Sequence, residues 1–100
     1  MNEMRQVRQL AALADPSRFR IIQLLGRGPL TVGKVAEAIN LPFVNISHHL
    51  GVLRQAGVVQ HTKQGRFVVY QLHPDVFTPA KRTGGPAVLD LSGIKVEMAI

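Results

Sequence analysis

A mainly α-helical domain completed by a small β-hairpin is the fold class this sequence predicts, and three observations predict it. Up to Gly57, apolar side chains recur at three- and four-residue steps in four stretches, broken at Asp15-Pro16, at Gly26, Gly28 and Pro29, and at Asn40-Leu41-Pro42. After Gly57 the composition changes to two strand-like runs around Lys63-Gln64-Gly65-Arg66. The positive charge is confined to the same region: residues 1–74 hold nine basic and three acidic side chains, and residues 75–100 hold three of each.

The first helix carries Met4, Val7, Leu10, Ala11 and Ala14 on one face and ends at Asp15. Asp15 then caps the second helix, with Pro16 at its first position, where a missing N–H costs nothing. Phe19, Ile22, Leu25 and Ile21 are its inward residues, and Gly26, Gly28 and Pro29 close it. Thr31 caps a third helix that runs through Ile39 with Val32, Val35, Ala36 and Ile39 inward, and Asn40 tolerates the left-handed turn that follows. Pro42 opens the fourth, whose inward residues are Phe43, Ile46, Leu50 and Leu53 and whose stop is Gly57. Residues 58–62 and 67–72 then form a hairpin on a two-residue Gln64-Gly65 turn, pairing Lys63 with Arg66 and His61 with Val68. A helix-turn-helix pair followed by a hairpin is the plan of a winged helix-turn-helix domain, in which the second helix of the pair enters a major groove.

Residues 78–86 contain two glycines and two prolines with no apolar period and read as a linker between a domain of residues 1–77 and a tail of residues 87–100. In the tail, residues 88–91 and 94–100 flank Ser92-Gly93, and Ile94, Val96, Met98 and Ile100 alternate with Lys95, Glu97 and Ala99. That pattern is a strand pair. Because an isolated hairpin is only marginally stable, its apolar face is expected to pack on the core or on a second subunit.

Length and composition remove whole classes of function. One hundred residues exclude a multidomain enzyme, and 46% hydrophobic with 18% charged residues suit a folded core that a partner subunit would help to stabilise. The absence of cysteine removes disulfides, thiolate metal sites and thiol nucleophiles together. The longest apolar stretches, Ile21-Ile22 and Leu24-Leu25 around Gln23, fall far short of a membrane span of roughly 18 residues. Residues 1–27 carry Glu3, Asp15 and five arginines rather than the apolar core of a secretory signal, so a cytoplasmic protein without a membrane partner is expected. A net charge of +6 is the sign of a chain that meets phosphates or anionic lipid.

The fourth helix has a distinct outer stripe. At about 100° per residue with Ile46 at zero, Leu50, Leu53 and Phe43 fall within about 60° of it, while Val44, His48, Gly51 and Gln55 fall between about 140° and 200°. Asn45 and Ser47 flank that stripe near the N-terminal end, the end that touches base edges in helix-turn-helix complexes. Asn45 suits an adenine edge, Ser47 and His48 a base or phosphate, and Val44 a thymine methyl. Lys63, Gln64 and Arg66 at the hairpin tip are candidates for phosphate or minor-groove contact, Arg54, Lys34 and Thr31 for backbone contact, while Arg5, Arg8, Arg18 and Arg20 raise the positive field. A winged helix whose outer face meets a protein partner is the competing class.

The four histidines do not suggest a metal site or a catalyst. His48 and His49 point about 100° apart, unlike an i, i+4 ligand pair, and the Ser47-His48 couple has no nearby carboxylate to orient the ring. His49 reads as a packed histidine bonded locally, and His61 and His73 lie roughly 17 Å apart at 3.3 Å per residue. No cofactor is expected.

Three stretches carry a more specific likeness. Leu13-Ala14-Asp15-Pro16-Ser17-Arg18-Phe19-Arg20-Ile21-Ile22-Gln23-Leu24-Leu25, then Ile46-Ser47-His48-His49-Leu50-Gly51-Val52-Leu53-Arg54-Gln55-Ala56-Gly57-Val58-Val59, and Gly65-Arg66-Phe67-Val68-Val69-Tyr70-Gln71-Leu72 resemble the ArsR/SmtB transcriptional repressors across residues 8–77. The resemblance implies a homodimeric repressor of a double-stranded DNA operator, released by an inducer that the sequence leaves unknown. Metal-sensing members place a cysteine pair on the helix corresponding to residues 31–39, where this chain has Val32, Lys34 and Val35. Others place ligands on a long C-terminal helix, where this chain runs from Pro74-Asp75-Val76-Phe77 into its linker. The tail is therefore expected to replace that helix, with Ile94, Val96 and Met98 joining Met4, Val7, Leu10 and Ala11 in dimerisation, so that deleting residues 87–100 would shift dimer towards monomer.

Overall fold

Helix boundaries fall where particular side chains satisfy or break the backbone. In the computed structural model, which describes residues 3–99, α1 (Glu3–Leu13) and α2 (Pro16–Leu25) are separated at Asp15, whose carboxylate accepts the Arg18 N–H at 3.0 Å. A two-residue strand that the sequence did not announce, β1 (Leu30–Thr31), leads into α3 (Val32–Ile39), and Thr31 caps that helix by accepting the Lys34 N–H at 3.2 Å. Asn40 leaves α3 in the left-handed region at φ 61°. α4 (Phe43–Gln55) ends in a Schellman turn: the Val58 N–H reaches the Leu53 carbonyl and the Gly57 N–H the Arg54 carbonyl, each at 3.0 Å, with Gly57 at φ 78°.

The wing is β2 (Val59–Gln64) against β3 (Phe67–Leu72), with β1 on the other side of β3. Its register pairs Gln64 with Phe67 and Lys63 with Val68, so the turn is Gly65-Arg66 and not Gln64-Gly65. A tight hairpin of type II′ needs positive φ at its first central residue, and Gly65 at φ 63° supplies it there. His61 therefore faces Tyr70 instead of Val68, which still leaves it three residues, about 10 Å, short of His73.

A second sheet follows, ordered β4 (Phe77–Thr78), β5 (Ala87–Leu91), β6 (Ile94–Met98). Ser92 and Gly93, at φ 56° and 104°, give the two positive φ values of a type I′ turn at the expected place. Phe77 and Thr78 already pair with Leu89 and Val88, so the connecting loop begins at Pro79 and not at residue 78. Ile100, assigned above to the last strand, lies outside the described residues.

The tail belongs to its own subunit. Leu89, Leu91 and Met98 lie in the same buried cluster as Ile21, Ile22, Val35, Ile46, Leu50 and Leu53. Met98, expected at a dimer interface, is buried in that cluster, Val96 is half-buried against it, and only Ile94 of the three is exposed. α1 also docks on the β5–β6 turn: Gln6 Nε2 donates to the Ser92 carbonyl at 2.7 Å, and Ser92 Oγ donates to Gln9 Oε1 at 2.9 Å.

Three helices bury a different arc from the periodic one. α1 turns Gln9 and Ala12 inward, leaving Met4 (64%), Val7 (53%) and Leu10 exposed. In α2 the buried residues Ile21, Ile22 and Leu25 lie on one side of Ile22, whereas Phe19 lies about 60° to the other and is exposed. Phe43, first residue of α4 and one turn ahead of Ile46, lies outside the buried cluster.

Candidate nucleic-acid interface

α4 is anchored by three side chains and displays most of the rest. Ile46, Leu50 and Leu53 are completely buried, and Val44, Asn45, Ser47, His48, Arg54 and Gln55 are exposed. Gly51 sits within the same outer stripe, and a Cβ at that position would meet nothing within 4 Å beyond its chain neighbours and its own helix backbone. The Schellman turn at Gly57 fixes where α4 stops and where β2 departs, which sets the wing relative to the helix. Lys63, Gln64 and Arg66 are all exposed at the wing tip, with the Arg66 guanidinium 5.4 Å from the centre of the exposed Phe67 ring. Lys34 is exposed on the first turn of α3; Thr31 is half-buried, and its hydroxyl oxygen is engaged as the cap of that helix.

The sequence did not disclose what ties α4 to the first two helices. Arg18 donates through Nε to the Ala12 carbonyl at 2.7 Å and through a terminal nitrogen to His49 Nδ1 at 3.1 Å. Arginine has no acceptor, so Nδ1 accepts and the neutral His49 ring carries its proton on Nε2. His49 is thus bonded across 31 residues of sequence and not locally. Arg18, read only as a source of positive field, joins the α1–α2 corner to the recognition-type helix. Its position after the Asp15-Pro16 cap was visible, but its partners are not neighbours in sequence. Replacing Arg18 by alanine should cost about 1.5–3 kcal/mol, the range for a charged donor removed from partly buried acceptors, measured by urea unfolding. Lysine, lacking the fork, should restore only part of it.

Asp15 titrates below its ordinary value of 3.8, chiefly because its carboxylate accepts the Arg18 N–H, with the positive charge of Arg18 adding to the effect. A depressed carboxyl contributes stability that is full above the unfolded value and is lost as the pH falls through the folded one. Unfolding of the wild type should therefore show an acid-side loss below about pH 4 that Asp15→Asn lacks.

Each remaining histidine has a partner. The His48 and His49 rings lie 5.8 Å apart and inclined at 55°, with His48 exposed. His61 stacks on Tyr70 at 5.2 Å, a cross-strand pair of the wing. His73 Nδ1 accepts the Asp75 N–H at 3.1 Å and caps the turn before β4. Among the described residues, no group of three or more His, Cys, Asp or Glu side chains is placed to hold a metal ion. No helix among them is long and apolar enough to cross a membrane.

Comparison with known proteins agrees with this geometry. The family model described as a helix-turn-helix domain matches residues 13–62. The transcriptional repressor SdpR of Bacillus subtilis is 42% identical over 65 residues, covering 65% of this chain and 72% of SdpR. The HTH-type transcriptional regulator NmtR of Mycobacterium tuberculosis is 47% identical over 64 residues, covering 64% of this chain and 53% of NmtR, so the chain spans only about half the length of that relative. Among solved structures, a homodimeric winged helix-turn-helix DNA-binding domain of Mycobacterium bovis, Mb0332, superposes with a TM-score of 0.69 at 27% identity, covering 71% of this chain and 66% of that one. HlyU of Vibrio cholerae does so with a TM-score of 0.69 at 32% identity, covering 72% and 78%. With its cap, recognition-type helix and wing all in place, the chain belongs to the ArsR/SmtB family of winged helix-turn-helix transcriptional regulators.

Proposed function

We propose that the chain is a DNA-binding repressor acting as a homodimer on a pseudo-palindromic operator, and that it catalyses no reaction. The observation that carries this reading is the two-sidedness of α4: Ile46, Leu50 and Leu53 are buried to the last atom, and Val44, Asn45, Ser47 and His48 stand together in solvent at its N-terminal end. In this reading the N-terminal half of α4 meets base edges, Gln55 and Arg54 extend the contact along the groove, and Gly51 lets the helix approach closely. Lys63, Gln64 and Arg66 reach the phosphates or minor groove beside it, and Lys34 and the Thr31 hydroxyl hydrogen the backbone ahead of α3. The exposed face of Met4, Val7, Leu10 and Ala11, with Ile94, holds the two subunits together. The homodimeric state of the Mycobacterium bovis domain supports a dimer.

Gly51 offers a discriminating prediction. A glycine inside a helix costs about 1 kcal/mol against alanine, and nothing in the subunit occupies its side-chain space. Gly51→Ala should therefore raise the unfolding midpoint while weakening operator binding, as read by thermal scans and fluorescence anisotropy. A variant that is more stable and binds equally well would remove Gly51 from the interface.

Sensing is a separate matter. The chain has no cysteine for a thiolate sensor, so zinc, cadmium and arsenite at micromolar concentration should leave operator affinity unchanged. A tenfold loss, about 1.4 kcal/mol, would point to a metal site between subunits that uses His73 and Asp75. The function itself is tested by selecting duplexes from a random pool with the full chain. Inverted repeats with half-sites about 10–10.5 base pairs apart are expected; enrichment of no sequence would favour a protein-contact module instead.

A further inference from the structure

The first turn of α4 is apolar where solvent-facing helices are usually polar. Phe43 is 61% exposed and Val44 74%, and Pro42 ahead of them supplies no side-chain cap. Helix starts in contact only with water favour Ser, Thr, Asp or Asn at the cap and acidic residues in the first turn, and α4 has neither. Val44 faces away from the subunit's core, and Phe43, one turn ahead of Ile46, lies beyond the end of that core, so packing within the subunit accounts for neither. Exposed cations stand on α3 (Lys34), at the far end of α4 (Arg54) and on the wing (Lys63 and Arg66). The surface that fits exposed apolar side chains on a helix-turn-helix and wing that also carry exposed cations is polyanionic outside and locally apolar within. A DNA major groove is such a surface, and the apolar group it presents among its base edges is the thymine 5-methyl.

We propose that Phe43 and Val44 read thymine methyl groups, so that each operator half-site carries thymines where the first turn of α4 enters the groove. This rests on the DNA-binding reading above and deepens it. Adjacent helical side chains diverge by about 100°, so the two meet methyls on separate base pairs. Val44 lies on the outer stripe with His48, and Phe43 lies at the helix start between the arcs of Leu50 and Ser47. Methyl recognition then supplies discrimination that the polar side chains Asn45, Ser47 and His48 do not.

The test uses the operator obtained by pool selection, with each thymine replaced in turn by uracil, which removes the 5-methyl and keeps the pairing edge. Loss of one read methyl should weaken binding about fourfold, equivalent to roughly 0.8 kcal/mol for one buried apolar carbon. Val44→Ala should abolish the sensitivity at one position and Phe43→Ala at another, each leaving the other thymines' effects intact. Both residues are exposed, so unchanged unfolding midpoints should accompany these losses. An enriched operator indifferent to uracil at every position would overturn this inference alone, leaving the DNA-binding reading standing. Uracil effects that persist equally in both variants would assign the methyls to DNA shape and also overturn it. A pool that yields no enriched sequence would remove the DNA-binding reading and this inference together.

Discussion

Replacing Asn45 and His48 together by alanine should erase most of the discrimination between operator and random DNA. Each base-edge contact is worth about 1–3 kcal/mol, so the pair should cost the operator complex roughly 30-fold to 10⁴-fold while barely affecting random duplex. The fold should survive, because both side chains are exposed and neither anchors α4. Replacing Lys63 and Arg66 should do the opposite: both duplexes weaken alike, and the slope of affinity against salt concentration falls by about one for each phosphate no longer neutralised. Fluorescence anisotropy across a salt series separates the two patterns. Equal losses for both double variants on both duplexes would sink the division between base-reading helix and phosphate-binding wing.

The largest stability effect should come from the tail. Leu89 is completely buried in the common core, so Leu89→Ala should cost about 2–5 kcal/mol, a large part of the 5–15 kcal/mol that holds a typical domain. Truncation after Pro86 removes Leu89, Leu91 and Met98 together and should unfold the domain instead of merely loosening a dimer. Urea titration followed by circular dichroism measures both. An unchanged midpoint in Leu89→Ala would mean that the second sheet does not pack on the helical core.

Backbone chemistry made most of the fold legible. Asp15-Pro16, Thr31, Asn40 and Gly57 each act at the helix end where their type is useful, and Ser92-Gly93 takes the turn of the second hairpin. The first hairpin's turn lies one residue later than its spacing suggests, because two placements offer glycine and a type I′ turn at Gln64-Gly65 would force positive φ on Gln64 as well, whereas Gly65 in first place needs it only at the glycine. The burial of Gln9 was invisible to hydropathy: it is a polar side chain whose partner, Ser92, lies 83 residues away. The destination of the tail was open for the same reason, since alternation shows that a strand has an apolar face but not which subunit covers it. In the candidate site, helical spacing identified the outer stripe of α4, and it misplaced Phe43 because periodicity does not report where the core ends. The Arg18 to His49 link depends on the packing of α2 against α4, which no local pattern encodes.

We expect the outward face of α4 to lie in the major groove of each operator half-site. Because the chain has no cysteine, Gln55→Cys creates a single attachment point for a hydroxyl-radical-generating iron chelate on that face, and Glu97→Cys does the same on the exposed side of β6. Mapping strand cleavage on the selected operator should give two clusters from position 55, about 34–36 Å apart along the duplex axis, and no localised cleavage from position 97. Cleavage localised from position 97, or diffuse cleavage from position 55 on an intact complex, would mean that α4 does not enter the groove.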